Sequence, residues 1–377
     1  MTSYHFATCQ PGAEPALKAE VQQHAPWLRA AFQRPGLVTF RDDGGGPLPK
    51  QWAPVFGRVT GRSLGMAPDA AALLALAAQV PPAAETGSGP RFHVWDSDMG
   101  RPGARPDRAE QAAAATIAAW RDGLVAQGVA PEAIVCAGQT DAVAAPRAGA
   151  SIIDIVLPPP KRGDAGAVEN AFVGWHRHDA AVSPWPGGVM PLVTPPEAPS
   201  QAWRKIEEAF ALTGLVPRRG EQALEIGAAP GGAVHALLKR GVATIAIDPQ
   251  SMDPRIERLA IAEDVPYRNL VMPMADVQLE TLPGHVDWLL VDAHLAGPVV
   301  LKGLGRFLRW YRHSLRGLFW TVKLHRWTDA ERLPELMERL RSFDFDTVAA
   351  RQLPSNGQEV LVWASRRPQR SKGHEHR

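Results

Sequence analysis

The sequence predicts an α/β protein. Its C-terminal half reads as a doubly wound, mostly parallel, Rossmann-like sheet, preceded by an α+β region. Three observations carry this expectation. From about residue 199, strand-like and helical runs alternate, the pattern of parallel strands joined by crossover helices. One such junction, "LEIGAAPGGAVHALLKRG" from Leu224, passes from an apolar strand through a glycine-rich turn into a helix. Before about residue 190 there is no such alternation, only short strand-like runs mixed with alanine-rich helical ones.

In chain order, residues 1–85 contain the run "PGLVTF" and two helical stretches. The first follows Pro11-Gly12 and carries Leu17, Val21 and Trp27; the second is "DAAALLALAAQV". Residues 86–190 form a second block with strands "RFHVW", "AIVCAG", "SIIDIVL" and "NAFVGWHRH", and the helix "AEQAAAATIAAWRDGLVAQG". The proline-rich "SPWPGGVMPLVTPPEAPS" reads as a linker. Residues 191–365 open with the helix "QAWRKIEEAFALTG" and supply strands "QALEIG", "VATIAID", "PYRNLVM", "VDWLLVDA", "GLFWTVKL" and "QEVLVWAS". Residues 366–377 are a basic, polar tail, expected to be disordered.

Composition narrows the function classes. A net charge of +2 over 377 residues gives no molecule-wide field, so a nucleic-acid partner needs a local basic patch. Cys9 and Cys136 are far apart and lack metal-ligand spacing, which points to a reducing compartment and no metal. No signal peptide and no apolar run of about 20 residues is present, so a cytoplasmic protein without a membrane partner is expected. The sequence is silent on oligomeric state; a monomer is the working expectation.

The turn narrows the ligand. A dinucleotide fingerprint is G-x-G-x-x-G. Here Gly227 is followed by Ala228, Ala229, Pro230, Gly231 and Gly232, so the middle glycine is replaced by Ala229. Pro230 fixes a turn, and Gly231 and Gly232 are expected to let a ligand approach the backbone. The helix N-terminus that follows suits a carboxylate. S-adenosylmethionine has a carboxylate and no phosphate, and fits better than a dinucleotide. Asp248 ends the next strand, where an acid can bind ribose hydroxyls. Asp276 follows the third strand region, where a carboxylate could accept from an adenine amine. Asp292 ends "WLLVD". Each Asp reads alternatively as a turn or cap residue.

Methyl transfer to different atoms needs different residues. Transfer to pyrimidine C5 needs a cysteine nucleophile, and none follows Cys136. Transfer to a base amine often uses an Asn/Asp-Pro-Pro-aromatic turn, where this chain has "DAHLAG". Transfer to a ribose hydroxyl needs a base; a lysine can serve if burial beside another ammonium lowers its pKa. Lys323 ends the apolar strand "LFWTVK", Asp292 ends another, Glu359 opens the last, and Lys205 lies in the helix before the fold begins. Taken singly, Lys205 and Glu359 read equally as surface charges, and Lys323 as a lysine whose stem lies on apolar surface.

In order and context, Lys205, Asp292, Lys323 and Glu359 resemble the K-D-K-E tetrad of FtsJ-type RNA ribose 2′-O-methyltransferases, and "GAAPGG" resembles that family's cofactor turn. Within it, the chain resembles the bacterial ribosomal RNA large subunit methyltransferase M group along "FVGWHRHDAAVSPWPGGVMPLVTPPEAPSQAWRKIEEAF", "WLLVDAH", "TVKL" and "QEVLVW". The N-terminal half resembles that group in size and layout, with "CQPGAEPALKAEV" as the best local match.

The resemblance implies an S-adenosylmethionine methyltransferase fold after a THUMP-like RNA-binding region, acting on a cytidine ribose of 23S rRNA. It implies Lys323 as proton acceptor, with Lys205, Asp292 and Glu359 completing the tetrad. It also implies cofactor contacts from Ala229 to Gly232, Asp248, Asp276 and Asp292. Three positions depart from the pattern: Ala202 stands where the family has a serine, though Ser200 is nearby; Ala233 replaces an aromatic; and "VKLHR" replaces a more apolar continuation.

Between Asp292 and Asp329 there is no acidic residue. Arg306, Arg309, Arg312 and Arg316 recur at helical spacing and are expected to form one face leading to Lys323; with Arg326 they are candidate RNA contacts, a solvated helix face being the alternative. Two other readings stay open: an RNA-binding protein with an inactive methyltransferase fold, and a methyltransferase for another RNA. An NAD enzyme is disfavoured by the missing middle glycine.

Overall fold

The computed structural model describes residues 3–44, 52–82, 89–97, 107–138, 146–158, 170–179 and 183–366. The chain divides into two compact units: Met1–Val193 together with Arg351–Gly357, and Thr194–Ala350 together with Gln358–Arg377. The basic tail, 366–377, lies outside the described residues except for Arg366, whose guanidinium donates to the carbonyls of Arg312, Leu315, Phe343 and Asp344. Among the described residues no helix is long and apolar enough to cross a membrane.

The first unit contains β1 (Ser3–Thr8), α1 (Glu14–His24), β2 (Leu28–Arg34), β3 (Leu37–Asp42), β4 (Thr60–Ala67), α2 (Ala70–Ala77), β5 (Arg91–Asp96), α3 (Asp107–Ala126), β6 (Ile134–Cys136), β7 (Ser151–Leu157) and β8 (Ala171–Arg177). Trp27, expected to continue the first helix, lies in the turn beyond its end at His24. The unit holds one eight-stranded sheet, ordered β2-β3-β1-β4-β8-β7-β5-β6.

The segments 1–85 and 86–190, read separately in the sequence, share this one sheet. β4 from the first segment pairs antiparallel with β8 from the second, from Arg62↔Trp175 to Ala67↔Ala171. Glycine makes this seam possible: a Cβ on Gly174 would fall 2.4 Å from the Phe6 ring, which packs on Phe172. A larger residue there would push Phe6 off the sheet. Beneath the sheet, α2 and α3 bury Leu73, Ile117, Trp120 and Leu124 against Val94, Ile153 and Ile155.

The second unit contains α4 (Ala202–Thr213), β9 (Gln222–Ile226), α5 (Gly232–Lys239), β10 (Ala243–Asp248), α6 (Pro254–Ala262), β11 (Tyr267–Val271), β12 (Trp288–Val291), α7 (Gly297–Trp310), β13 (Gly317–Lys323), α8 (Leu333–Arg341), β14 (Thr347–Arg351) and β15 (Glu359–Ser365). Its seven strands run β11-β10-β9-β12-β13-β15-β14. β9 to β13 are parallel, and β15 is antiparallel to β13. The fold is the expected Rossmann-like one. The short polar strand β14 was not legible beforehand.

The order of the sheet reverses between β9 and β12. From β9 the chain moves outward to β10 and β11, then returns to β12 on the other side of β9. The carboxyl ends of β9 and β12 therefore border the crevice in which such sheets bind ligands.

Candidate functional site

Four charged side chains meet at that crevice. Lys205 rides on α4, whose stripe of Ile206, Ala209 and Phe210 is buried and whose C-terminus closes on Gly214 in the left-handed conformation. Phe210 meets Phe319 of β13 edge-on, at 5.4 Å, which fixes the helix against the sheet. Asp292 directly follows β12, its N–H donating to Ile226 O of β9 at 2.9 Å. Lys323 is the last residue of β13. Glu359 is the first of β15, directly opposite it in the antiparallel register. The reversal of β15 is what carries its first residue to the carboxyl end of a parallel sheet.

The four charges close a ring. Lys323 Nζ lies 2.6 Å from Asp292 Oδ1 and 2.6 Å from Glu359 Oε2; Lys205 Nζ lies 2.6 Å from Glu359 Oε1 and 3.6 Å from Asp292 Oδ2. Two ammonium groups balance two carboxylates. Lys323 and Glu359 side chains are each 9% exposed, Asp292 and Lys205 about twice that. Burial disfavours the charge on Glu359, but Lys205 and Lys323 outweigh it and hold its pKa below the usual carboxylate range. Burial likewise works against the Lys323 ammonium, but Asp292 and Glu359 prevail and raise its pKa above 10.5.

This corrects one expectation. The lysine was expected to have a lowered pKa through a neighbouring ammonium; two carboxylates in direct contact do the opposite in the resting ring.

The glycine-rich turn sits beside the ring. Gly227 has φ +79°, and a Cβ there would lie 2.7 Å from the backbone of Asp292 and Ala293. Only glycine allows β9 to turn while β12 passes this close. Gly231 and Gly232 behave otherwise than expected. A Cβ on Gly231 would meet Ile256 and Met252, and one on Gly232 would meet Ser200 Oγ at 2.3 Å and Trp203 N at 2.7 Å. Their missing side chains admit protein, packing α6 and the start of α4 onto the turn, rather than opening the backbone to a ligand. Ser200 is thereby held against the turn. The Ala229–Pro230 peptide is cis.

Asp248 holds the turn from the next strand. Its Oδ2 accepts from Ala229 N–H at 3.1 Å and its Oδ1 from Gln250 N–H at 2.8 Å. Asp276 lies exposed in a 3-10 turn after β11.

One residue escaped the sequence reading. Glu225, the penultimate residue of β9, is 1% exposed, and its Oε2 has no hydrogen-bond partner among the described residues. Burial, then Asp292 and Asp248, drive its pKa well above the ordinary carboxylate value. An acid inside an otherwise apolar strand was the available signal. Asp248 and Asp292 place negative charge beside the turn, and the Glu225 carboxyl, whose charge they disfavour, lies buried next to them. That donor set suits a ligand carrying positive charge and opposes a pyrophosphate.

The expected basic face is not one face. α7 ends at Trp310, so Arg312 and Arg316 lie beyond it. The helix starts beside Lys323, where Ala296 bridges to it, and runs away. Arg309 is twelve residues along, roughly 18 Å at 1.5 Å per residue. Arg306 is tied to the carbonyls of Ala275 and Val277, and Arg316 pairs with Glu221 at the opposite end of β13 from Lys323. Arg326, three residues after Lys323, is the one arginine of the set that stays near the ring.

No protein-family model matches the chain. A protein of Halorhodospira halophila named ribosomal RNA large subunit methyltransferase M is 27% identical over 380 residues, covering 97% of each chain. One of the same name from Xylella fastidiosa is 30% identical over 192 residues, covering 48% of this chain and 52% of that one, so this alignment spans about half of either protein. A crystal structure of TrmN from Thermus thermophilus aligns with 96% of this chain and 99% of that one, at 16% identity and a TM-score of 0.33. Along nearly its whole length, the chain is thus related to proteins named ribosomal RNA large subunit methyltransferase M.

Proposed function

We propose that the second unit is an S-adenosylmethionine-dependent RNA methyltransferase that acts on a ribose 2′-hydroxyl, with a cytidine of large-subunit rRNA as its target. The observation that carries this reading is the closed Lys205–Asp292–Lys323–Glu359 ring at the crevice, next to a turn whose carboxylates suit a cationic ligand. The names of the relatives support its coarser part, a methyltransferase acting on large-subunit rRNA. A THUMP-like, RNA-binding role for the first unit rests on size and layout alone.

When bound, S-adenosylmethionine would supply the methyl group from its positively charged sulfur. Asp248 and Asp292 would hold that positive charge near the turn. Lys323 takes the hydroxyl proton as the oxygen becomes a better nucleophile. It must first release its own, because Asp292 and Glu359 keep it protonated at rest. A second positive charge drawn in beside Asp292 opposes the ammonium and favours that release. Glu359 and Lys205 keep the Lys323 amine pointed at the crevice. A protonated resting amine gives a pH signature: single-turnover transfer rises with pH, because the reactive, neutral amine grows with pH.

The test is incubation with labelled S-adenosylmethionine and unmodified 23S rRNA, followed by nuclease digestion. Label in a 2′-O-methylcytidine is the expected result. Cofactor binding with no transfer to any large-subunit RNA would favour the inactive-fold reading instead.

A further inference from the structure

We infer that the cleft lined by Lys323, between the start of α7 and the chain leaving β13, is a phosphodiester site, built to hold the 3′-phosphate of the nucleotide being modified. The inference rests on the ribose 2′-hydroxyl reading above and names how the substrate is held.

The cleft has a volume of about 240 Å³ and lies between the start of α7 and the chain leaving β13; Gly297, Lys323, His325, Arg326, Asp329 and Arg332 are among its walls. Its size decides what it can take. Pockets for whole drug-sized ligands run about 300–1,000 Å³, so this one suits a group rather than a whole nucleotide.

Its charge decides the sign. Arg326 and Arg332 bring two guanidinium groups and His325 an imidazole, against the single carboxylate of Asp329. That carboxylate is already engaged, accepting from the Arg326 backbone N–H at 3.0 Å. Neither arginine has an ion-pair partner among the described residues, whereas Arg240, Arg255 and Arg316 are matched with Glu207, Asp253 and Glu221. Both are exposed and can reach a ligand. Guanidinium groups without partners beside a small cleft are the arrangement that binds phosphate oxygens.

Its position decides which phosphate. The 3′-phosphate hangs from the ribose carbon next to the one bearing the 2′-hydroxyl. An RNA that presents this hydroxyl to Lys323 Nζ must place that phosphate alongside, and Lys323 itself forms one wall of the cleft. The sequence feature that looked like a departure, "VKLHR", supplies two of the cationic walls.

The experiment compares wild type, the Arg326→Ala/Arg332→Ala double variant and Arg339→Ala, an exposed charge control further along α8. Binding of a 23S rRNA transcript is measured against salt, and methyl transfer from labelled S-adenosylmethionine is measured in parallel. The double variant should bind roughly tenfold more weakly and flatten the salt dependence by ~1 in slope, as for loss of one phosphate contact. The RNA KM should rise while cofactor affinity stays within about twofold of wild type, and Arg339→Ala should leave the slope unchanged. An unchanged slope and KM in the double variant would overturn the inference. If wild type transfers no methyl to ribose, the functional reading fails, and the salt slope alone then decides whether the cleft holds an RNA phosphate.

Discussion

Each unit of this protein buries a cluster of ionisable side chains, and the two are built on opposite principles. In the first, Asp154 is completely buried on β7 and bonds His176 Nδ1 of β8 at 2.6 Å, while His93 of β5 stands opposite Asp154 in register. His178 lies further along the chain. His93 Nε2 and His176 Nε2 find no hydrogen-bond partner among the described residues. The one carboxylate bonds one imidazole, and its Oδ1 has no hydrogen-bond partner among the described residues. Burial, then His176 and neighbouring cations, push the His93 pKa well below 6.5, and burial with His176 lowers that of His178.

In the second unit, two ammonium groups meet two carboxylates in a ring, one wall of which opens on a cleft. The contrast teaches that perturbed ionisation alone does not mark a site. What distinguishes the ring is matched charge, a place at the sheet's reversal point, and access from solvent.

Four measurements would sharpen or break this comparison. The largest effect is expected from Lys323→Ala. It should lower single-turnover methyl transfer about a thousandfold, in line with loss of a general base, with cofactor affinity preserved within a few fold. Transfer at more than a tenth of the wild-type rate would remove Lys323 from the chemistry. Next is Asp154→Ala, which leaves the buried His176 imidazole without its partner and should cost the first unit about 2–3 kcal/mol in denaturant titrations followed by hydrogen exchange. Transfer per folded molecule should not change.

The third measurement is pH. His93 and His178 have folded pKa values below their ordinary 6.5, so an unfolded chain takes up more protons below that point. Stability of the first unit is full above pH 6.5 and falls by at most about 1.4 kcal/mol per pH unit per group as pH drops toward the folded values. The ring behaves differently. Glu359 contributes stability above 4.5 that is lost only as pH falls toward its lowered value, and Lys323 contributes below 10.5 until pH passes its raised one. Hydrogen exchange at pH 5.5 should therefore open the first sheet before the second; the reverse order would undo the contrast.

The smallest effect is that of Glu225→Gln. A buried acid with a raised pKa stabilises less and less as pH climbs above 4.5. The variant should melt a few degrees higher at pH 8, with a gain that shrinks toward pH 4.5 and cofactor affinity kept within a few fold. A gain that does not change with pH would show that the Glu225 carboxyl does not carry it.

Much of this was legible beforehand, for reasons that differ by element. The core strands "ATIAID" and "WLLV" carry continuous apolar runs that only a doubly covered sheet buries. Lys323 and Asp292 stood out because a charge at the end of such a run has nothing to pack against. β14, "TVAAR", was missed because it is short and no position in it is fully buried. The seam between β4 and β8 joins residues more than a hundred positions apart, and pairing at that range leaves no local trace. Glu225 was not legible as buried, because it stands two residues before Gly227, where an acid is as readily an exposed residue of the turn.

The alternation of strands and helices and the turn at Gly227 can be read from the chain, because apolar periodicity and φ > 0 glycine are local properties; the four ring residues stand together in the sequence through their resemblance to a known tetrad. The fold alone brings Lys205, Asp292, Lys323 and Glu359 into contact, since their meeting depends on strand order and on the antiparallel return of β15. It also decided the ionisation of Lys323, in the opposite direction to the one expected. The sign of that shift depends on which charges lie within hydrogen-bond reach, a distance that spacing along the chain does not contain.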